Sequence, residues 1–285
     1  MNEIRTICVC GAGTMGSGIA QVAAMAGFTT IQFDVKSDML DKSRALITKN
    51  LEWLLQKGRI SAAEQKAGLE RIRFTSDSKE CIADLFIEAI IEQKDVKTAL
   101  FNQMAGINSN RSVFATNTSS ISISEIARAV PNPSRVVGMH FFNPAPLMKL
   151  VEVVKADQTD NAVVDTIVTV AKAMGKVPVV CKDAPGFIVN RIARHYYLEA
   201  MKLLEDGHAT IETIDAVMES TGFKMGPFKL MDLIGMDINY GVSNIVWEAL
   251  GKPERLKPSP VQKQKVEAGE LGRKTGKGFY VYDGS

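Results

Sequence analysis

The chain has 285 residues, 46% of them hydrophobic and 23% charged, a composition that excludes a disordered, collagen-like or disulfide-scaffolded protein. Lys and Arg total 34 against 32 for Asp and Glu, a formal net charge of +2. That balance excludes a dedicated nucleic-acid binder and leaves room for a local basic patch facing an anionic small molecule. In chain order, residues 4–10 read as a buried strand, 14–27 as a helix and 29–34 as a second strand. Residues 37 to about 57 form a strongly patterned helix, with Leu40, Ile47, Leu51 and Leu54 on one face. Strands follow over 84–91 and 112–116, with a helix over 95–104 between them. Two more strands, 135–140 and 149–154, are joined by the FFNPAP stretch of residues 141–146. So short a link suits an antiparallel pair. A helix over 162–174 and a strand over 177–181 close this first part.

The texture changes at residue 182. KDAPG, residues 182–186, reads as a linker, since Pro185 suits a helix start. Beyond it helical patterns fill 187–205, 211–220, 227–233, 236–250 and 260–268. This second part is rich in large apolar residues: Leu230, Met231, Leu233, Ile234, Met236, Ile238, Ile245, Val246 and Trp247 lie close together. They fit either a core of its own or a helical dimer interface.

Cys8, Cys10, Cys81 and Cys181 are scattered through apolar stretches, without a CxxC pair or a Cys/His cluster. They read as small buried hydrophobes in a reducing compartment, and no metal site is expected. No apolar run is long enough to cross a bilayer, and MNEIRTICVCGAG has neither the order of a signal peptide nor the bias of a transit peptide. A cytoplasmic protein without membrane or nucleic-acid partners is expected.

The sequence Gly11-Ala12-Gly13-Thr14-Met15-Gly16 follows the first strand directly and opens the first helix. That is the context a G-x-G-x-x-G dinucleotide fingerprint requires. Gly11 allows the tight turn, Gly13 the approach of a pyrophosphate, and Gly16 close helix–strand packing. The helix N-terminus then offers N–H groups and partial positive charge to phosphates. Asp34, ending the second strand, has the spacing of an acid that binds the adenosine ribose diol. A carboxylate there repels a 2′-phosphate and favours NAD over NADP, although Lys36 nearby offsets part of that repulsion. The expected fold class is therefore α/β: an N-terminal Rossmann-like dinucleotide-binding domain over residues 1–184 and an all-α C-terminal domain over 185–285.

Three histidines are present: His140, His195 and His208. His195, in a helix pattern, and His208, in a turn, suit surface or packing roles. His140 ends the apolar strand VVGMH, and strand ends are where open α/β sheets bind ligands. The residues alone leave it either catalytic or structural.

Five blocks occur in order: GAGTMGSGIAQ, NTSSISI, GMHFFNPAPLMKLVEVV, APGFIVNRI and LGRKTGKGFY. Together they span essentially the whole chain, which closely resembles the L-3-hydroxyacyl-CoA dehydrogenase family, above all its 3-hydroxybutyryl-CoA members. The resemblance implies NAD-dependent interconversion of an L-3-hydroxyacyl-CoA and a 3-ketoacyl-CoA. It implies a catalytic pair, His140 and Glu152, with Ser119 and Asn190 as polar substrate contacts. Imidazole can move a proton in either direction near neutral pH, and a carboxylate on its other nitrogen fixes the tautomer. Ser119 could alternatively cap a helix starting near Ile121.

The resemblance further places Glu92, Lys97, Ser119, Asn143 and Lys274 at the cofactor, beside the glycine turn and Asp34. Gln93 stands where the family commonly has Asn. On the helix over 37–57, Lys42, Lys49 and Lys57 share a broad arc that reads as a solvated face. The resemblance puts Asn50 and Lys57 of that helix at the CoA moiety, where many relatives have Ser for Asn50. It also implies that the helical domain helps to form the substrate cleft and a homodimer. Alternative readings are a 3-hydroxyadipyl-CoA or other 3-hydroxy-acid dehydrogenase, and a non-catalytic NAD-binding protein. The presence of both His140 and Glu152 weighs against the last.

Overall fold

The computed structural model describes residues 3–282, which divide into two compact units between Ala184 and Pro185. The first opens with β1 (Thr6–Cys10), α1 (Thr14–Met25), β2 (Thr29–Phe33) and α2 (Ser37–Gln56). It continues through α3 (Ala62–Glu70), β3 (Ile72–Thr75), β4 (Leu85–Glu88), α4 (Lys94–Ile107), β5 (Val113–Thr116) and α5 (Ile123–Arg128). The last elements are β6 (Val136–Phe141), β7 (Leu150–Lys155), α6 (Asn161–Ala173) and β8 (Val177–Lys182).

The eight strands form one sheet in the order β3-β2-β1-β4-β5-β6-β7-β8. Every neighbouring pair is parallel except β6 and β7, which run antiparallel as the short connection requires. Reversal at β1 sends the chain first toward β2 and β3 and then back to β4, so the switch point of the sheet falls between β1 and β4, where such sheets bind ligands at the carboxyl ends of their strands. The central strands are buried on both faces. Ile7, Val9, Leu85, Ile87, Val113 and Ala115 pack with Ile19 and Ala23 of α1 and Ile47 and Leu51 of α2. This is why these strands read as continuous apolar runs.

Two elements escaped the sequence pattern. α3 buries only Gly68, so it has no apolar stripe to reveal it. Its start is nonetheless written as a capping box, with Ser61 and Glu64 bonding each other's backbone N–H. β3 is a four-residue edge strand. The strand expected over 84–91 stops at Glu88, because Ala89 N–H closes on Cys10 O and Ile90 N–H turns back to the Glu88 carboxylate. All four cysteines are free thiols, and Cys8, Cys10 and Cys81 are buried.

The second unit comprises α7 (Val189–Glu205), α8 (Ile211–Ser220), α9 (Pro227–Ile234), α10 (Met236–Ala249) and α11 (Pro260–Glu267). Its core gathers Tyr197, Met201, Phe228, Met231, Met236, Val246 and Leu256. Of the apolar group noted in the sequence, Met231, Met236 and Val246 are interior, whereas Leu233, Ile238 and Ile245 are exposed.

Two buried aspartates tie the tail to this unit. Asp215 accepts from the N–H groups of Phe228 and Lys229 and from the Tyr280 hydroxyl. Asp232 accepts from the N–H groups of Phe279 and Tyr280 and from the Tyr282 hydroxyl. Each carboxylate is thus solvated by donors instead of a cation, which keeps a buried charge tolerable. Among the described residues no helix is long and apolar enough to cross a membrane.

Candidate active site

The site is built on the carboxyl edge of the parallel strands. Gly11 leaves β1 at φ 104°, a left-handed conformation, and a Cβ there would lie 2.6 Å from Ala89 O. Gly16 faces Gly11 so closely that a Cβ would meet its carbonyl oxygen at 1.9 Å. A side chain at Gly11 would collide with the backbone that follows β4, and one at Gly16 would push α1 away from the glycine turn. Gly13 is the opposite case: a Cβ would meet nothing within 4 Å, so its outer side is open to an approaching group. As the N-cap it brings no side chain to the first-turn N–H groups of α1. Open backbone at a helix N-terminus is what a pyrophosphate needs. Asp34, just beyond β2, accepts from the N–H groups of Ala12 and Lys36 at 2.8 and 3.0 Å, which locks the carboxylate beside the turn. The residues present therefore fit a dinucleotide.

On the same edge, His140 lies one residue before the end of β6, directly opposite Glu152 of β7 in the antiparallel register. Opposed residues point to one face of the sheet, so the side chains meet. His140 Nδ1 lies 2.7 Å from Glu152 Oε2, with the His140 side chain 8% exposed and Glu152 fully buried. The Phe142 ring tilts against the imidazole at 4.6 Å between centroids. Asn117, beyond β5, accepts the Phe141 N–H and ties the two strand ends together.

Beside this pair lies a network centred on Lys97, whose side chain is 1% exposed. Its ammonium is 2.6 Å from Glu88 and 3.0 Å from Glu92. Glu88 also accepts from the Thr116 hydroxyl and the Ile90 N–H. Burial pushes the Glu88 carboxyl above its ordinary value, and Lys97 offsets only part of that. Glu92 is less enclosed. Burial also works to raise it, but Lys97 and the Thr118 hydroxyl outweigh that and hold it low. Its Oε1 accepts from Thr118 Oγ1, Ser119 N–H and Ser120 Oγ. Glu92 thus grips the backbone of the NTSS segment that carries Ser119.

The helix cap proposed for Ser119 belongs instead to Ser122, which accepts from Glu125 N–H at the start of α5. Asn143 is exposed in the 142–149 connection. Asn50 of α2 bonds Gln21 of α1 at 3.1 Å. Lys57 is the exposed C-cap of α2, and Lys42 is paired with Asp38. In the second unit, Asn190 occupies the first turn of α7, where its carbonyl accepts from Arg194. Lys274 is paired with Asp237 at 2.6 Å.

Sequence reasoning passed over Glu88, Thr118 and Asn117. Glu88 had one available signal, a carboxylate closing the otherwise apolar run LFIE. The other two sit inside the NTSS block and are overshadowed by Ser119.

A glycine turn between β1 and α1, an acid after β2 and a His–carboxylate pair on the same edge define a dinucleotide-dependent oxidoreductase. Comparison with known proteins narrows the class. Residues 6–184 match the model of the 3-hydroxyacyl-CoA dehydrogenase NAD binding domain, and residues 186–282 match that of the 3-hydroxyacyl-CoA dehydrogenase C-terminal domain. The chain belongs to the 3-hydroxyacyl-CoA dehydrogenase family, and its first unit is that family's NAD-binding domain. It is 44% identical over 282 residues to a 3-hydroxyadipyl-CoA dehydrogenase of Escherichia coli, covering 98% of this chain and 59% of that relative. It is 41% identical to a probable 3-hydroxybutyryl-CoA dehydrogenase of Deinococcus radiodurans, covering 96% of this chain and 99% of the relative. Among solved structures, a (S)-3-hydroxybutyryl-CoA dehydrogenase of Ralstonia eutropha superposes with a TM-score of 0.95 at 36% identity, over 99% of this chain and all of that one.

Proposed function

We propose that the chain interconverts an L-3-hydroxyacyl-CoA, foremost 3-hydroxybutyryl-CoA, and the 3-ketoacyl-CoA with NAD as cofactor. The buried His140–Glu152 pair, on the same sheet edge as the glycine turn, carries this reading. In the oxidising direction, Nε2 of His140 takes the proton from the C3 hydroxyl. Glu152, bonded to Nδ1, holds the tautomer and balances the imidazolium that forms. NAD, when bound, would supply the acceptor for the hydride that leaves C3. Ser119 and Asn190 donate hydrogen bonds to the substrate, the former held in place through Glu92. Gly11, Ala12, Gly13, Thr14, Met15 and Gly16 hold the pyrophosphate and Asp34 the adenosine ribose. Glu92, Lys97, Ser119, Asn143 and Lys274 complete the cofactor contacts.

The CoA portion lies against α2, where Asn50 and Lys57 sit seven residues apart on one face. The functional form is a homodimer through the helical unit, to which the exposed Ile238 and Ile245 of α10 contribute. Sedimentation velocity should give twice the chain mass, and a monomer at micromolar concentration would remove this element.

The test of the activity is loss of NADH absorbance with acetoacetyl-CoA, followed by a substrate series of varied acyl length and terminal charge. Turnover of acetoacetyl-CoA supports the reading, and inactivity toward all 3-ketoacyl-CoA thioesters would refute it. The 44% identity to a protein named 3-hydroxyadipyl-CoA dehydrogenase favours one second reading, a substrate with a terminal carboxylate. It requires the six-carbon diacid thioester to exceed the four-carbon one in kcat/KM.

A further inference from the structure

Lys176 stands between α6 and β8 with 8% of its surface exposed. Among the described residues its ammonium meets two backbone carbonyls and no carboxylate: Ala145 O at 2.5 Å and Met148 O at 2.9 Å. Burial without a counter-charge lowers its proton affinity, so the position is unfavourable for a lysine unless these two bonds serve a purpose.

Both carbonyls belong to the 142–149 connection between β6 and β7. That connection folds on itself, with the Leu147 and Met148 N–H groups donating to Pro144 O. Most of its residues are exposed, and Ala145 is the buried exception. Ala145 and Pro146 rest on α1 at Gly18, where an added Cβ would come within 3.2 and 3.0 Å of them. The connection is therefore gripped from two sides, by Lys176 and by the helix that opens at the glycine turn. Asn143 projects from its first residues, three positions after His140.

We propose that Lys176 is a positioning residue: its ammonium clamps the 142–149 connection against α1 and so sets Asn143 relative to the glycine turn. The proposal rests on the reading of Asn143 as a cofactor residue. Loss of a purely structural lysine would lower stability without acting through Asn143. A positioning lysine loses its effect once Asn143 is gone.

The experiment is a double-mutant cycle read by NADH binding in the full chain, from the fluorescence of bound NADH. Lys176→Met keeps an unbranched apolar stem and removes the ammonium. It should weaken NADH binding by about five- to tenfold in the wild-type background and by less than about twofold in Asn143→Ala. Lys176→Arg, which keeps charge and N–H donors, should stay within about twofold of the wild type. If Lys176→Met fails to fold, Gly18→Ala, which presses the same connection from α1, takes its place in the cycle with the same expectation. Unchanged NADH binding in the first-background variant overturns the proposal. Equal weakening in both backgrounds overturns it too, and assigns Lys176 to stability alone. A silent Asn143→Ala would overturn both the proposal and the assignment of Asn143. Because the measurement uses no acyl substrate, a wrong acyl-CoA assignment leaves it intact.

Discussion

His140 Nδ1 lies 2.7 Å from the buried Glu152 carboxylate, and the two members of the pair play different parts under substitution. His140→Gln removes the proton acceptor. Turnover of acetoacetyl-CoA should fall by roughly 10²-fold or more while NADH binding stays near that of the wild type. Glu152→Gln keeps a hydrogen-bond acceptor for Nδ1 but cannot balance the imidazolium, so it should also lose turnover while keeping the fold. A harmless Glu152→Gln beside an inactive Glu92→Gln would move the catalytic role to the other carboxylate. Asp34 is fixed by two backbone N–H groups, so its charge cannot swing away from a 2′-phosphate. The wild type should therefore prefer NADH to NADPH, and Asp34→Ala should narrow the ratio of the two kcat/KM values. Equal values in the wild type would contradict this. The positions of Asp34 and His140 stood out because each sits where a short pattern ends, Asp34 after TTIQF and His140 at the close of VVGM, whereas a catalytic role for His140 was implied only by the family resemblance. Glu88 closes the run LFIE in the same way, but its pairing with Lys97 was not legible, nor was the meeting of Lys176 with the 142–149 connection, because no local period encodes those contacts.

At the scale of elements, α2 buries one face and leaves its C-terminal cap in solvent. Leu40, Ile47 and Leu51 are buried against the sheet, whereas Lys57 closes the helix in solvent. Lys57→Ala should raise KM for acetoacetyl-CoA several-fold, by on the order of 1 kcal/mol of exposed charge interaction, and less at high salt. Neither kcat nor KM for NADH should change, because binding common to ground and transition states is what is lost. Equal effects on both substrates would make Lys57 structural. A second element prediction concerns the segment after α11. Glu270 lies 2.5 Å from both Lys265 and Lys277, and bonds to these two lysines depress its carboxyl from 4.5 to about 2. A depressed acid stabilises the fold fully above its unfolded value and loses that contribution as pH falls toward the folded one. The Tm gap between wild type and Glu270→Gln should therefore be full above pH 4.5, narrow below it and close near about pH 2. A gap independent of pH would dissociate Glu270 from the effect. Long elements with an apolar stripe, such as α2 and α7, were legible from periodicity. The antiparallel turn of β6 into β7 was legible from loop length. α3 and β3 were not, because one buries a single glycine and the other has four residues at a sheet edge.

At the scale of the whole molecule, the two units are stabilised by different means. The first closes its core with β-branched strands buried on both faces and is anchored by contacts between neighbouring strands. The second has five α-helices among its described residues and needs the segment beyond α11 to complete it. Asp215 and Asp232 lie deep in its interior, and of their six donors two are the N–H groups of Phe228 and Lys229 and four belong to residues 279–282. Asp232 in particular receives every one of its three bonds from residues 279–282. During synthesis, α7 to α11 are made before any of those donors exists. Until residue 282 has been added, packing these helices would bury the Asp232 carboxylate with nothing to solvate it. The helical unit therefore depends on residues 279–282, which follow all of its described helices in the chain, and its assembly waits on them rather than on the appearance of its helices.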